Sequence, residues 1–226
     1  MADRCLLYYI TDRRQFPGAE SARRRALLAK IGEAARAGVD YVQLREKDLS
    51  TRELESLARE AVRVIREEER LANREPRIAT RLLINSRADI ALAAGADGVH
   101  LRSDDISAHD VRQIVDLAGH RSLSTHQFTI AVSCHSSADV MRAEAEGADL
   151  AVFAPVFEKR DAPETKAVGC AGLREACAGK IPVLALGGVT LGNAASCLES
   201  GAAGIAAIRL FQNNKIEEVV GALRGN

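Results

Sequence analysis

The chain has no tryptophan, and its three tyrosines and five phenylalanines amount to 4% of 226 residues. Burial cannot rest on large aromatic anchors, so Ala, Leu, Ile and Val must fill the core of a composition that is 47% hydrophobic. No apolar run approaches the roughly 18 residues that span a bilayer, which leaves no membrane-spanning helix to expect. The opening Met1–Ile10 stretch leads straight into an apolar segment and lacks the pattern of a cleavable signal. The cysteines (Cys5, Cys134, Cys170, Cys177 and Cys197) are odd in number, scattered, and contain no Cys-x-x-Cys pair. Neither a zinc site nor a disulfide framework is indicated, and a reduced, cytoplasmic protein is the expectation. Net charge is missing as well: 31 basic residues balance 31 acidic ones. That balance gives no footprint for nucleic-acid binding, and the basic clusters Arg13-Arg14 and Arg23–Arg25 read as solvated faces.

What the chain does have is repetition. Four stretches say nearly the same thing: Ala-Gly-Val-Asp-Tyr-Val-Gln-Leu from Ala37, Ala-Gly-Ala-Asp-Gly-Val-His-Leu from Ala94, Glu-Gly-Ala-Asp-Leu-Ala-Val-Phe from Glu146 and Ser-Gly-Ala-Ala-Gly-Ile-Ala-Ala from Ser200. Their glycines, Gly38, Gly95, Gly147 and Gly201, lie 57, 52 and 54 residues apart. Each copy reads as a helix end, a glycine stop and a short strand. One further apolar run precedes each copy: Leu6–Thr11, Leu82–Asn85, Ile130–Ser133 and Val183–Leu186. Eight strands, each followed by a helical segment, predict an α/β fold: a single (β/α)8 TIM barrel spanning residues 1–226 as one domain. Ser50-x-x-Glu53 is the strongest helix start, and the charge-rich Glu67–Arg81 reads as a fraying helix end and loop. Asp97 and Asp149, within the repeats on the bottom face, read as structural.

A barrel places its chemistry on the loops after the C-terminal strand ends. Sorting polar residues by strand end gathers Gln43, Arg45 and Lys47 after strand two and Asn85 after three. Asp104 and Asp105 follow strand four, Ser133 and His135 five, Lys159 and Arg160 six, and Gly187-Gly188 seven. Two cations and two amides beside two carboxylates suit a Mg²⁺-bound polyphosphate, because that ion bridges carboxylate to phosphate while Arg and Lys hold the remaining oxygens. The competing reading pairs Arg45 and Lys47 with Glu46 or Asp48 in surface salt bridges. The ends of strands seven and eight suit a second phosphate, held by backbone N–H groups where Gly187-Gly188 permits close approach. His100 reads as a residue orienting its neighbours inside the barrel, and Cys134 as a small buried filler.

Gln43-Leu44-Arg45-Glu46-Lys47, Asn85, Gly95–Leu101, Asp104-Asp105, Val132–His135 and Gly187–Thr190 together resemble the thiamine phosphate synthase family, from about Tyr8 to Phe211. The resemblance implies a transferase that condenses hydroxymethylpyrimidine diphosphate with a thiazole phosphate, releasing pyrophosphate. It implies Gln43, Arg45, Lys47 and Asn85 as ligands of the pyrimidine diphosphate, and Ser133 as a contact to the pyrimidine or the departing pyrophosphate. Arg45, Lys47 and Ser133 form the implied catalytic set. Asp105, with the residue at position 86, would bind Mg²⁺, and the amides of Gly188 and Ile208 would bind the thiazole phosphate. The implied mechanism is dissociative and needs no protein nucleophile or general base.

Three positions depart from the family pattern. Ser86 stands where an Asp that helps bind Mg²⁺ is usual. The segment after strand six is Glu158-Lys159-Arg160-Asp161 rather than a Thr-x-Thr-Lys type, so Lys159 or Lys166 would supply the missing charge. Arg209 replaces a small residue in the strand-eight phosphate loop, where it would add a phosphate contact or point away. These departures keep two alternatives open: a thiazole tautomerase using His135, and a barrel that binds a phosphorylated ligand without turnover.

Overall fold

A computed structural model describes residues 4–72, 79–118, 127–158 and 166–225. The expected barrel is present. Eight parallel strands close in sequence order: β1 (Leu6–Ile10), β2 (Tyr41–Leu44), β3 (Arg81–Asn85), β4 (Gly98–Leu101), β5 (Thr129–Cys134), β6 (Leu150–Phe153), β7 (Val183–Ala185) and β8 (Gly204–Ala207). Around them pack α1 (Glu20–Ala37), α2 (Thr51–Leu71), α3 (Ala88–Ala94), α4 (Ala108–Leu117), α5 (Ser137–Ala145), α6 (Gly169–Ala176), α7 (Ala194–Glu199), α8 (Arg209–Gln212) and α9 (Ile216–Arg224). No helix among the described residues is long and apolar enough to cross a membrane.

The helix signals act as their chemistry dictates. Ser50 and Glu53 form the reciprocal capping box at the start of α2, and Gly38 ends α1 in the left-handed conformation at φ 82°. α2 ends at Leu71, within the Glu67–Arg81 stretch read as a helix end and loop, with Leu57, Ala61 and Ile65 against the barrel. One extent differs from expectation, the start of α6. α6 begins at Gly169, inside what reads as the loop after strand six. Residues 159–165 of that loop, 73–78 and 119–126 lie outside the described residues.

The repeats explain the bottom of the barrel. Asp40, Asp97 and Asp149, each two residues after its glycine stop, accept the backbone N–H of the strand that precedes the repeat. Leu7 N donates to Asp40 at 2.7 Å, Leu82 N to Asp97 at 2.9 Å and Ile130 N to Asp149 at 2.7 Å. Each carboxylate also meets an arginine: Arg224 and Arg4 at Asp40, Arg66 at Asp97, Arg112 at Asp149. The fourth copy has Ala203 at this position, and only its backbone N–H reaches across, to Val183 O at 2.8 Å. Gly98 and Gly204 serve a different need. A Cβ at either would lie 2.0 Å from the carbonyl oxygen of Thr129 or Leu6, so neighbouring strands approach as closely as they do only because these residues lack one.

Closure divides the apolar residues into two cores. A large one lies between sheet and helices, and a small one fills the barrel with Tyr8, Ile10, Leu83, Ala131, Leu150, Val152, Leu184 and Ala206. Side chains alternate across a strand. The residues two beyond Tyr41, Leu83, Gly98 and Ala131 are Gln43, Asn85, His100 and Ser133, so the interior turns polar toward the C-terminal end on the β2–β5 side. A hydrogen-bonded chain crosses this layer. Gln43 Nε2 donates to the Tyr8 hydroxyl at 3.4 Å, Tyr8 meets His100 Nδ1 at 2.7 Å, and His100 Nε2 meets Ser133 Oγ at 2.8 Å. One polarity satisfies every member: Tyr8 donates to Nδ1, and the Nε2–H of a neutral imidazole donates to Ser133, leaving the serine O–H free to donate. Burial, aided by the nearby Arg45 charge, pushes the His100 pKa down to about 3.

Two consequences are measurable. Asp149→Ala removes the acceptor for Ile130 N–H and should cost about 1–3 kcal/mol, read as a lowered urea midpoint; an unchanged midpoint would refute the clamp. The folded pKa of His100 lies below the ordinary 6.5, so its contribution to stability is whole above pH 6.5 and is lost as pH falls toward 3. Denaturation midpoints should therefore drop between pH 6.5 and 4.5, above the range of the shifted aspartates, and His100→Asn should flatten that slope.

Candidate active site

Four of the expected ligands arise from two adjacent strands. Gln43 is buried within β2, Arg45 follows its last residue and is half-buried, and Lys47 is exposed two residues further. Asn85 closes β3, where its Nδ2 donates to Ser86 Oγ at 3.1 Å. Ser86 has left-handed backbone at φ 59°, alone among the described non-glycine residues, and its N–H is held by His100 O at 2.8 Å. The loop after β4 completes this side. Asp105 Oδ2 accepts the Arg102 N–H at 2.7 Å, while Asp104, fully exposed, pairs with the Arg102 guanidinium. Arg102 thus engages both acids, its Nε lying 3.8 Å from Asp105 Oδ1, and Asp105 is the half-buried one of the two. A cavity of about 150 Å³ is lined by Asp105 and Ser133 together with Arg102, Asp139 and Arg142.

Arg45 and Lys47 make no ion pair with a described residue, so the surface-salt-bridge alternative for them finds no support. The carboxylates of Glu46 and Asp48 are both taken by Arg13, at 3.0 and 2.7 Å. Lys47 is pushed below the ordinary lysine pKa, first by the Arg45 charge, then by desolvation and by Arg102. That shift reports a locally positive rim. The reading of Arg13-Arg14 as a solvated pair needs correction at its first member. Arg13 is 3% exposed and Arg14 is exposed, because Arg13 finds in Glu46, Asp48 and Glu20 enough acceptors to satisfy a buried guanidinium.

The opposite side of the mouth is a cavity of about 610 Å³, lined among others by Glu158, Gly188, Thr190, Ile208, Arg209 and Asn213. Gly188 has φ 66°, and a Cβ there would lie 2.6 Å from Glu158 O. Backbone from the strand-six and strand-seven loops touches at this point, and no other residue fits. Asn193 fixes the loop by accepting the Thr190 N–H at 2.7 Å and donating to Gly188 O at 3.1 Å. Ile208 is half-buried ahead of α8, and Arg209 is exposed as its first residue. Lys166 is described and exposed, whereas Lys159 lies outside the described residues.

His135 is exposed, with Nδ1 at 2.7 Å from Ala154 O, a hydrogen-bonded loop histidine. Cys134 is fully buried and its thiol is pushed up to about 12 by burial, which suits a filler and not a nucleophile. Among the described residues, no group of three or more His, Cys, Asp or Glu gathers as a metal cage. Sequence reasoning missed Tyr8, whose hydroxyl links Gln43 to His100, and Arg13. The signal for Tyr8 was its even spacing along β1, which aims it inward; Arg13 had no local signal.

The family described as thiamine monophosphate synthase (TMP-TENI) matches residues 7–211. A thiamine-phosphate synthase of Caldanaerobacter subterraneus subsp. tengcongensis is 36% identical over 93% of this chain and 88% of its own. One from Methanoculleus marisnigri is 36% identical over 89% and 85%. A solved thiamine phosphate pyrophosphorylase from Pyrococcus furiosus superposes with a TM-score of 0.76 at 28% identity, covering 99% of this chain and 95% of that one. With the match spanning nearly the whole barrel and both sides of its mouth, the chain belongs to the thiamine monophosphate synthase family and is a transferase.

Proposed function

We propose that the protein joins hydroxymethylpyrimidine diphosphate to a thiazole phosphate, releasing pyrophosphate and forming thiamine phosphate by a dissociative route. One observation carries this reading: Arg45 and Lys47 make no ion pair with an acid among the described residues, on the rim that also bears Asp105 and across the mouth from the cavity beside Gly188. Two anions of different size find separate places there.

In this reading Gln43, Tyr8 and His100 line the pyrimidine end, and Ser133 offers its hydroxyl hydrogen to the ring or to the leaving group. Arg45, Lys47 and Asn85 hold the diphosphate, and their fixed charge favours the state in which pyrophosphate departs. Gly188 and Ile208 amides, with Arg209 at the edge, hold the thiazole phosphate and aim the ring nitrogen at the carbon left electron-poor. No residue forms a covalent bond to substrate, in keeping with the thiol and histidine environments.

The donors at Asp105 and Ser86 fit magnesium: both offer hard oxygen, and one carboxylate suits an ion that keeps several waters and takes substrate phosphate oxygens. Bound there, magnesium would supply counter-charge for the diphosphate. With a hydroxyl in place of a second carboxylate, a high magnesium requirement follows.

Isomerisation of the thiazole phosphate alone has less support, since His135 already spends one ring nitrogen on Ala154 O. Turnover without pyrimidine diphosphate, abolished in His135→Ala, would favour that alternative.

With both substrates and Mg²⁺ supplied, Arg45→Ala and Lys47→Ala should each lower kcat/KM for pyrophosphate release by about 10²-fold. Wild-type rates in the double variant would end the proposal. Ser86→Asp should lower the magnesium concentration for half-maximal rate by about tenfold, the scale set by a changed residue at a metal site; an unchanged requirement would remove position 86 from the metal site.

A further inference from the structure

The run Arg45-Glu46-Lys47-Asp48 alternates sign and sums to zero, a composition that by itself builds no anion site. Adjacent residues of opposite sign pair readily, and each such pair would cancel a cation meant for phosphate. The structure avoids this cancellation with a group from another strand. Arg13, in the short 3-10 turn Arg13–Gln15 after β1, lies 4% exposed at its side chain. Its Nη1 donates to Glu46 Oε2 at 3.0 Å, and its Nη1 and Nη2 grip Asp48 at 2.7 and 2.9 Å. Its backbone N–H reaches both Glu46 oxygens at 3.2 and 3.1 Å. The Thr11 hydroxyl donates to Glu46 Oε1 at 2.6 Å and accepts the Arg45 N–H at 3.0 Å, which sets the backbone from which Arg45 projects.

We propose that Arg13 is a positioning residue for diphosphate recognition, which turns the carboxylates of Glu46 and Asp48 away from Arg45 and Lys47 and so leaves those two cations open to the ligand. The sorting is one of contact. Both nitrogens of the Arg13 fork grip Asp48 in a bidentate geometry that arginine holds better than any lysine would, while Glu46 accepts from Nη1, the Arg13 N–H and the Thr11 hydroxyl. Glu46 is 4% exposed and cannot swing out, whereas Asp48 is exposed and is the acid that would otherwise reach Lys47. The inference rests on the reading of Arg45 and Lys47 as the diphosphate cradle.

The test is calorimetric titration of inorganic pyrophosphate, with Mg²⁺, into three full-length proteins whose folding is checked by circular dichroism. They are the wild type, Arg13→Met/Glu46→Gln, and the same double variant with Asp48→Asn added. The double variant strands no buried charge, since both buried partners become neutral together. It frees Asp48 and should bind pyrophosphate about fivefold more weakly, the scale of one exposed ion pair. Adding Asp48→Asn should restore wild-type affinity. A purely structural role for Arg13 predicts that the triple variant stays as weak as the double; that result overturns the proposal, as does a double variant that binds like wild type. A wild type that ignores pyrophosphate would overturn the cradle itself, and is told apart because it needs no variant.

Discussion

Every other feature depends on closure of the strands into a ring. Eight short parallel strands that meet end to end force each second side chain into one enclosed space, which must be filled from the four or so residues per strand. A chain without tryptophan meets that demand with Leu, Val, Ala and two tyrosines, supported by glycines where strand backbones crowd. The same alternation that fills the lower interior with hydrocarbon delivers Gln43, Asn85, His100 and Ser133 to the upper interior. Hydrocarbon and polar side chains here are two levels of one stack of residues.

The upper level is expensive to bury unless its polar atoms pair, and they do. The line from Gln43 through Tyr8 and His100 to Ser133 satisfies each member and keeps the imidazole neutral beside Arg45. At the rim Lys47 faces water and Arg45 is half-buried, and the acids of the same segment pair with the buried Arg13. The mouth therefore has a cationic half over β2–β4 and an apolar, glycine-lined half over β7 and β8. Such a division suits one ligand rich in negative charge and another that brings a single phosphate on a flat ring.

Much of this was legible in the chain because it depends on local rules. Glycine stops, the Ser50–Glu53 box and apolar runs at regular intervals are short-range signals, and they led to the correct strand count and order. The candidate residues were found by asking which polar side chains follow a strand, a question that needs no coordinates. Arg13 escaped because its burial depends on Glu46 and Asp48, 33 and 35 residues away, and a basic pair in a turn looks solvated until its acceptors are known. The Asp clamps were half legible: their repetition marked them as structural, but the strand N–H groups that they hold could be assigned only from pairing.

Ser86 carries a consequence of its own. Left-handed backbone is uncomfortable for serine and more tolerable for asparagine or aspartate, whose short side chains settle into it with less cost. The peptide there is nevertheless pinned by the His100 carbonyl in the contortion that those residues prefer. The backbone at this point of the rim is thus one that aspartate or asparagine would hold at less cost, so a single exchange here would change the side-chain chemistry without asking the barrel to move.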